Sequence, residues 1–160
     1  MNIYRIRSKT VSRIAAVQVI YQYSQKKQTE SIDSLLKKTI AFYRSGNLES
    51  HFEVDDNILI KAKVNVDYLG RLIDSMLTNL TLIDDLISKN LNTGRQISDM
   101  SLLLVAILRS SVCELTFFPE TPKKVVINEF TDIAGDMLTD NETGFVNSIL
   151  DNIAKETQVI

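Results

Sequence analysis

Apolar residues along this chain recur every three or four positions, the repeat of a helix with one face in a core. Val11, Ile14, Ala15, Gln18, Tyr21 and Gln22 trace one side of a first helix, expected from about Thr10 to Gln25. A second is expected from Ile32 to Ser45, stopped by Gly46 in a left-handed cap. The pattern lapses over residues 47–66. A loop of about 20 residues is uncommon in a compact domain, and Ile58 to Ala62 are expected to form a short helix inside it. From Val66 the stripe resumes through Leu69, Leu72, Ile73, Met76, Leu77 and Leu80. It breaks near Asn79 and Thr81, then continues through Leu82, Ile83, Leu86 and Ile87 to Asn90. Leu91 to Arg95 read as a turn around Gly94.

Ser98 is the expected cap of the next helix, with Ile97 stapling onto Leu102, and Pro119 ends that helix after Phe117. The stretch from Leu102 to Leu108 is apolar on all sides, which predicts the buried centre of the fold. Thr121-Pro122 opens a further helix, because proline in the first helical position gives up only an orphan N–H. Val126, Phe130, Ile133 and Met137 are its buried stripe. Asp140 to Gly144 read as a polar loop, Thr143 as the cap of the last helix, and Phe145, Ile149 and Ile153 as that helix's inner face. No internal repeat and no strand alternation stands out, so the expected class is all-α. Core packing explains most of the last forty residues but leaves Asn128, Glu129 and Asn147 without a task.

Composition narrows the picture. At 160 residues the chain is read as one domain with a real core. Five glycines and two prolines suit an all-helical protein. The single cysteine, Cys113, excludes an internal disulfide, fits a reducing cytoplasm and sits in the most apolar helix as core. His51 is the only histidine and has no ligand pair beside it, so no metal is expected. No signal peptide follows the basic N-terminus. The longest uncharged apolar run, Met100 to Leu108, is too short to span a bilayer, which takes roughly 20 residues. There is no nucleotide loop, no Cys/His cluster and no histidine for a triad, so neither catalytic residues nor cofactors are expected.

The net charge of −2 hides an asymmetry. Residues 1–29 carry Arg5, Arg7, Lys9, Arg13, Lys26 and Lys27 and no acid, which leaves −8 on the other 131. Arg5, Lys9 and Arg13 are four apart, and form one stripe if the helix starts early. If it starts near Thr10, residues 1–9 are a basic arm leading into it. Either way cations crowd a helix N-terminus, where the macrodipole favours anions by about 0.3–1 kcal/mol per charge. The conflict resolves if a phosphate occupies the site, since free N–H groups and cations then favour the same ligand. Tyr21, two turns beyond Arg13, faces the same ligand in this reading.

Four blocks resemble the NusB family of RNA-binding transcription antitermination factors. Arg13-Ile14-Ala15-Ala16-Val17-Gln18-Val19-Ile20-Tyr21 is similar to the family's first helix, R-x-x-A-V-Q-A-L-Y. Ile107-Leu108-Arg109-Ser110-Ser111-Val112-Cys113-Glu114-Leu115 is similar to its I-L-R-x-A-x-Y-E-L. Pro122 to Glu129 and Phe145 to Asp151 resemble P-x-K-V-x-I-N-E and F-V-N-G-V-L-D. The resemblance implies a seven-helix fold of two packed bundles and no enzymatic activity. It implies a cytoplasmic factor that binds single-stranded boxA RNA of ribosomal RNA operon transcripts. NusE, a small-subunit ribosomal protein, is the implied partner, and the pair joins the antitermination complex on RNA polymerase. Some members dimerise, so a homodimer stays open.

By the same resemblance Phe145 lies beside bound RNA as a stacking candidate; Asn141, Lys123 and Lys124, on nearby helix ends, are weaker candidates. Tyr68, Asp74 and Asp85, on the stretch 66–90, are the exposed candidates for the NusE contact. Several positions depart from the family. Ile6, Ser8, Thr10 and Val11 dilute its arginines, Gly144 stands where a basic residue is common, and Ser148 replaces the glycine of F-V-N-G. A tryptophan frequent before the central helix is missing, Leu104-Val105 replaces a charged pair, and residues 47–66 read as an insertion. Two other readings remain. One is a stand-alone RNA-recognition module related to the N-terminal domain of ribosomal RNA cytosine methyltransferases, whose catalytic domain is not expected here. The other is a helical interaction protein that never touches RNA.

Overall fold

The computed structural model describes residues 2–25, 29–44 and 58–157, with only the backbone for residues 2–6 and 58–62. Among them are seven α-helices and one short strand pair. In order they are β1 (Asn2–Ile6), α1 (Ser8–Tyr23), α2 (Ile32–Arg44), β2 (Ile58–Ala62), α3 (Val66–Thr78), α4 (Leu80–Lys89), α5 (Leu102–Phe117), α6 (Lys123–Met137) and α7 (Asp140–Glu156). The class is all-α as expected. The chain divides into two compact units, residues 1–71 and 72–160.

In the first unit α1 packs on α2. Strands β1 and β2 pair in parallel, from Asn2 opposite Ile58 to Ile6 opposite Ala62. This corrects the short helix expected over Ile58 to Ala62, and it puts residues 2–6 of the basic arm in a strand. A short apolar run does not distinguish helix from strand by periodicity, and Ile, Tyr and Leu suit a pleated pair. Residues 47–57 of the expected insertion, His51 among them, and the expected helix stop at Gly46 lie outside the described residues. Helix α1 is enclosed along its middle, with Val11, Ser12, Arg13, Ala15, Ala16, Val17, Val19 and Ile20 all buried. Tyr43 of α2 is 2% exposed and donates its hydroxyl to Gln18 Oε1 at 2.8 Å.

In the second unit α5 is the hub, packed against α4, α6 and α7. Every residue from Leu104 to Leu115 is buried except Arg109. Arg109 reaches outward to make a two-pronged ion pair with Asp84 of α4, both N···O distances 2.9 Å. Ser110 and Ser111 return their hydroxyls to the carbonyls of Ala106 and Ile107 one turn back, so polar groups in the core stay satisfied. Cys113 is a buried free thiol.

Caps are where the sequence reading slipped. Helix α5 is capped by Ser101, whose hydroxyl accepts the Leu104 N–H at 3.3 Å, and not by Ser98. Residues Ile97–Asp99 form a separate 3-10 turn closed by Gln96 and Asp99. Helix α7 is capped by Thr139, which exchanges a reciprocal pair of hydrogen bonds with Glu142. Thr143 therefore lies inside the helix, Asp140 to Gly144 are its first turns and no loop, and Phe145 is in its second turn. Pro122 sits at the cap of α6, one position before the expected one. Asn147 finds its task here: it accepts the Thr131 hydroxyl at 3.3 Å and ties α7 to α6.

Candidate nucleic-acid interface

One candidate region, in residues 1–71, is the start of α1. Arg7 holds the cap position without a side-chain cap bond, and the first turn contains no acid. Nothing in the helix's own sequence therefore complements its dipole. A clamp fixes this turn: the Ser12 hydroxyl accepts the Asn65 N–H at 2.9 Å and lies 2.9 Å from the carbonyl oxygens of Ser8 and Asn65. Asn65 also caps α3, its Oδ1 taking the Tyr68 N–H at 3.1 Å.

That clamp sets Tyr68 beneath the cations. The Lys9 Nζ stands 5.1 Å and the Arg13 Cζ 5.7 Å from the ring centroid. Both are within cation–π range of about 6 Å. The two cations differ in access. Arg7 and Lys9 are exposed, whereas Arg13 is 2% exposed. Tyr68 itself is 7% exposed, which corrects its expected place on an outer face. Arg5 lies in β1 opposite Lys61, and its side chain is outside the described residues.

Tyr21 is half-buried in a groove of 610 Å³ between α1 and α2, with Gln18, Gln22 and Gln25 on one wall and Leu35, Lys38 and Phe42 on the other. At its mouth Glu30 pairs with Lys38 at 2.8 Å. The hydrogen bond from Lys38, with that from the Ser34 hydroxyl, holds the Glu30 carboxyl below the usual range.

A separate candidate region, in residues 72–160, is the Phe145 ring. Phe145 is half-buried, and the Arg95 guanidinium lies over its face, 4.4 Å from the centroid. Sequence reasoning missed Arg95, since nothing in a turn sequence says which ring it will meet. Asn141 is exposed one turn earlier on α7. Lys124 is exposed, while Lys123 is half-buried and donates to the Thr157 hydroxyl. Asp74 and Asp85, the remaining candidates for a protein contact, are both exposed. Among the described residues no three His, Cys, Asp or Glu side chains could hold a metal, and no helix is long and apolar enough to cross a membrane.

A model of the NusB family matches residues 10–155. The chain belongs to the NusB family. Among curated NusB proteins, the transcription antitermination protein NusB of Rickettsia massiliae is 41% identical over 156 residues, covering 98% of this chain and 97% of its own. That of Rickettsia felis is 41% identical over 160 residues, covering 100% and 99%. The solved T. maritima NusB superposes with a TM-score of 0.72 at 26% identity, covering 98% of this chain and 94% of its own. A chain from a crystal structure of antitermination factors NusB and NusE in complex with dsRNA shares the fold, with a TM-score of 0.72 at 22% identity over 94% and 98%. The NusB family assigns a transcription antitermination factor with no catalytic activity.

Proposed function

We propose that this NusB-family chain binds single-stranded boxA-type RNA of ribosomal RNA operon transcripts together with NusE, and so joins the antitermination complex on RNA polymerase in the cytoplasm. The observation that carries the RNA reading is the start of α1. There an uncapped, acid-free helix N-terminus is ringed by exposed Arg7 and Lys9. Such a site favours phosphate by both its N–H groups and its side chains. The family and the NusB structure solved with NusE and dsRNA support the choice of partners.

In this reading Arg5, Arg7 and Lys9 hold phosphates, and Arg13 stiffens the platform from beneath. Phosphate contacts position a strand without reading it. Base contacts fall to Phe145, Tyr21 and Asn141, since single-stranded RNA is read on splayed bases. Exposed Asp74 and Asp85 face the basic ribosomal protein. The test is a filter-binding titration of boxA and scrambled RNA, at two salt concentrations, with and without NusE. Tighter binding of boxA, tightened further by NusE, is expected. Equal affinity for both RNAs, or no RNA binding, would overturn the proposal.

A further inference from the structure

Arg95 follows Gly94, whose φ of +88° turns the chain after α4. Its side chain is exposed, yet it is placed, with its guanidinium carbon 4.4 Å from the Phe145 centroid. Cation–π attraction persists to about 6 Å, so this is a close contact. Among the described residues no carboxylate within 4.0 Å is paired with Arg95, although α7 opens with Asp140 and Glu142. The guanidinium thus lies over a ring, and its exposed remainder is open to solvent. A planar guanidinium can stack a nucleobase on its face and grip a phosphate with its edge. The contact with Phe145 holds the guanidinium in place before any ligand arrives, which lowers the ordering cost of binding.

We infer that Arg95 is an RNA-binding residue: its plane extends the Phe145 ring into a stacking platform for an unpaired nucleobase, and its edge takes the neighbouring phosphate. The inference rests on the RNA-binding reading above and adds a residue to it. The test titrates labelled boxA RNA into the full chain with saturating NusE, comparing wild type, Arg95→Ala, Arg95→Lys, Phe145→Ala and the double variant. Arg95→Ala is expected to weaken binding by about 5- to 150-fold, the range of one base stack. Arg95→Lys keeps the charge without the plane and is expected to stay weak. The double variant is expected to lose less than the product of the two single losses, because both act on one platform.

Wild type that binds, with Arg95→Ala within about two-fold of it, overturns the inference alone. Full rescue by lysine overturns it too, since a point charge would then suffice. A urea midpoint lowered by Arg95→Ala, with unchanged affinity in the folded fraction, makes Arg95 a prop for Phe145 and likewise overturns it. Failure of wild type to bind RNA at all overturns the functional reading and this inference with it.

Discussion

Arg13 shows how far a residue's task depends on the helix that carries it. On paper it continues the stripe of Arg5 and Lys9, and it reads as a third phosphate ligand. In the structure it is 2% exposed, because α1 is enclosed on nearly every side along its middle turns. The signal was present in the apolar Val17 and Val19, which lie off the expected face. Arg13→Ala is therefore expected to cost roughly 1–3 kcal/mol of stability, through lost stem packing and the contact with Tyr68, and to leave the salt dependence of RNA binding in place. Lys9→Ala should do the reverse, leaving stability within about 0.5 kcal/mol and lowering the log–log salt slope by about 0.7. Urea melts and binding isotherms at several salt concentrations separate the two, and an exchange of these outcomes would return Arg13 to the ligand side. Tyr43 makes a second case. Burial pushes its phenol up to about 12 from the usual 10. The unfolded tyrosine ionises first as pH rises, so the stability this group contributes is intact below pH 10 and falls between 10 and 12. Tyr43→Phe should lose about 0.5–1.5 kcal/mol at neutral pH. Its deficit should shrink or reverse by pH 11, and a deficit constant with pH would remove the ionisation from the account.

At the scale of elements, periodicity was enough for the order of the seven described helices, and local hydrogen bonds decided their ends. The break between α3 and α4 at Asn79 and the turn at Gly94 were legible because each has a residue the helix cannot easily continue through. Gly94, at φ +88°, occupies a region other residues rarely enter. The caps were not legible, since two candidate hydroxyls stood close together at both α5 and α7. At α7 the choice of Thr139 over Thr143 follows from Glu142, three residues on, which closes a reciprocal box with Thr139. Thr139→Ala should accordingly lower stability by roughly 0.5–2 kcal/mol. Thr143 returns its hydroxyl to the Thr139 carbonyl at 2.9 Å inside the helix, so Thr143→Ala should cost much less. Equal losses in thermal melts would refute the assignment. The centre is the reverse case, where sequence and structure agree. Leu108 is fully buried in α5, and Leu108→Ala should cost roughly 2–5 kcal/mol by chemical denaturation. The strand pair escaped notice because five-residue strands give too little alternation to outweigh an apolar run.

At the scale of the molecule the fold class and family were readable from blocks spread over the whole chain, whereas the site was readable only as separate pieces. Arg7, Lys9 and Tyr21 belong to residues 1–71 and Arg95 and Phe145 to residues 72–160, and a linear sequence does not tell which side chains meet within either. Tyr68 beneath Lys9 and Arg95 upon Phe145 are both contacts between distant positions of that kind. What the sequence does carry at this scale is charge: six cations and no acid in the first 29 residues, and −8 over the remainder. RNA is drawn to the first 29 residues and repelled by the net charge of the rest, so binding by the chain alone should be weak and salt-sensitive. A basic partner seated on the acidic remainder would remove part of that repulsion and add its own phosphate contacts. Saturating NusE is therefore expected to raise RNA affinity most at low salt, and Asp74→Lys with Asp85→Lys should weaken capture of NusE while leaving RNA binding by the chain alone no weaker. Isothermal titration of NusE into wild type and the double variant, followed by RNA titration of each mixture, reads both effects. NusE that binds both proteins equally would move the contact off Asp74 and Asp85, and RNA affinity indifferent to NusE would remove cooperation between the two proteins from the account.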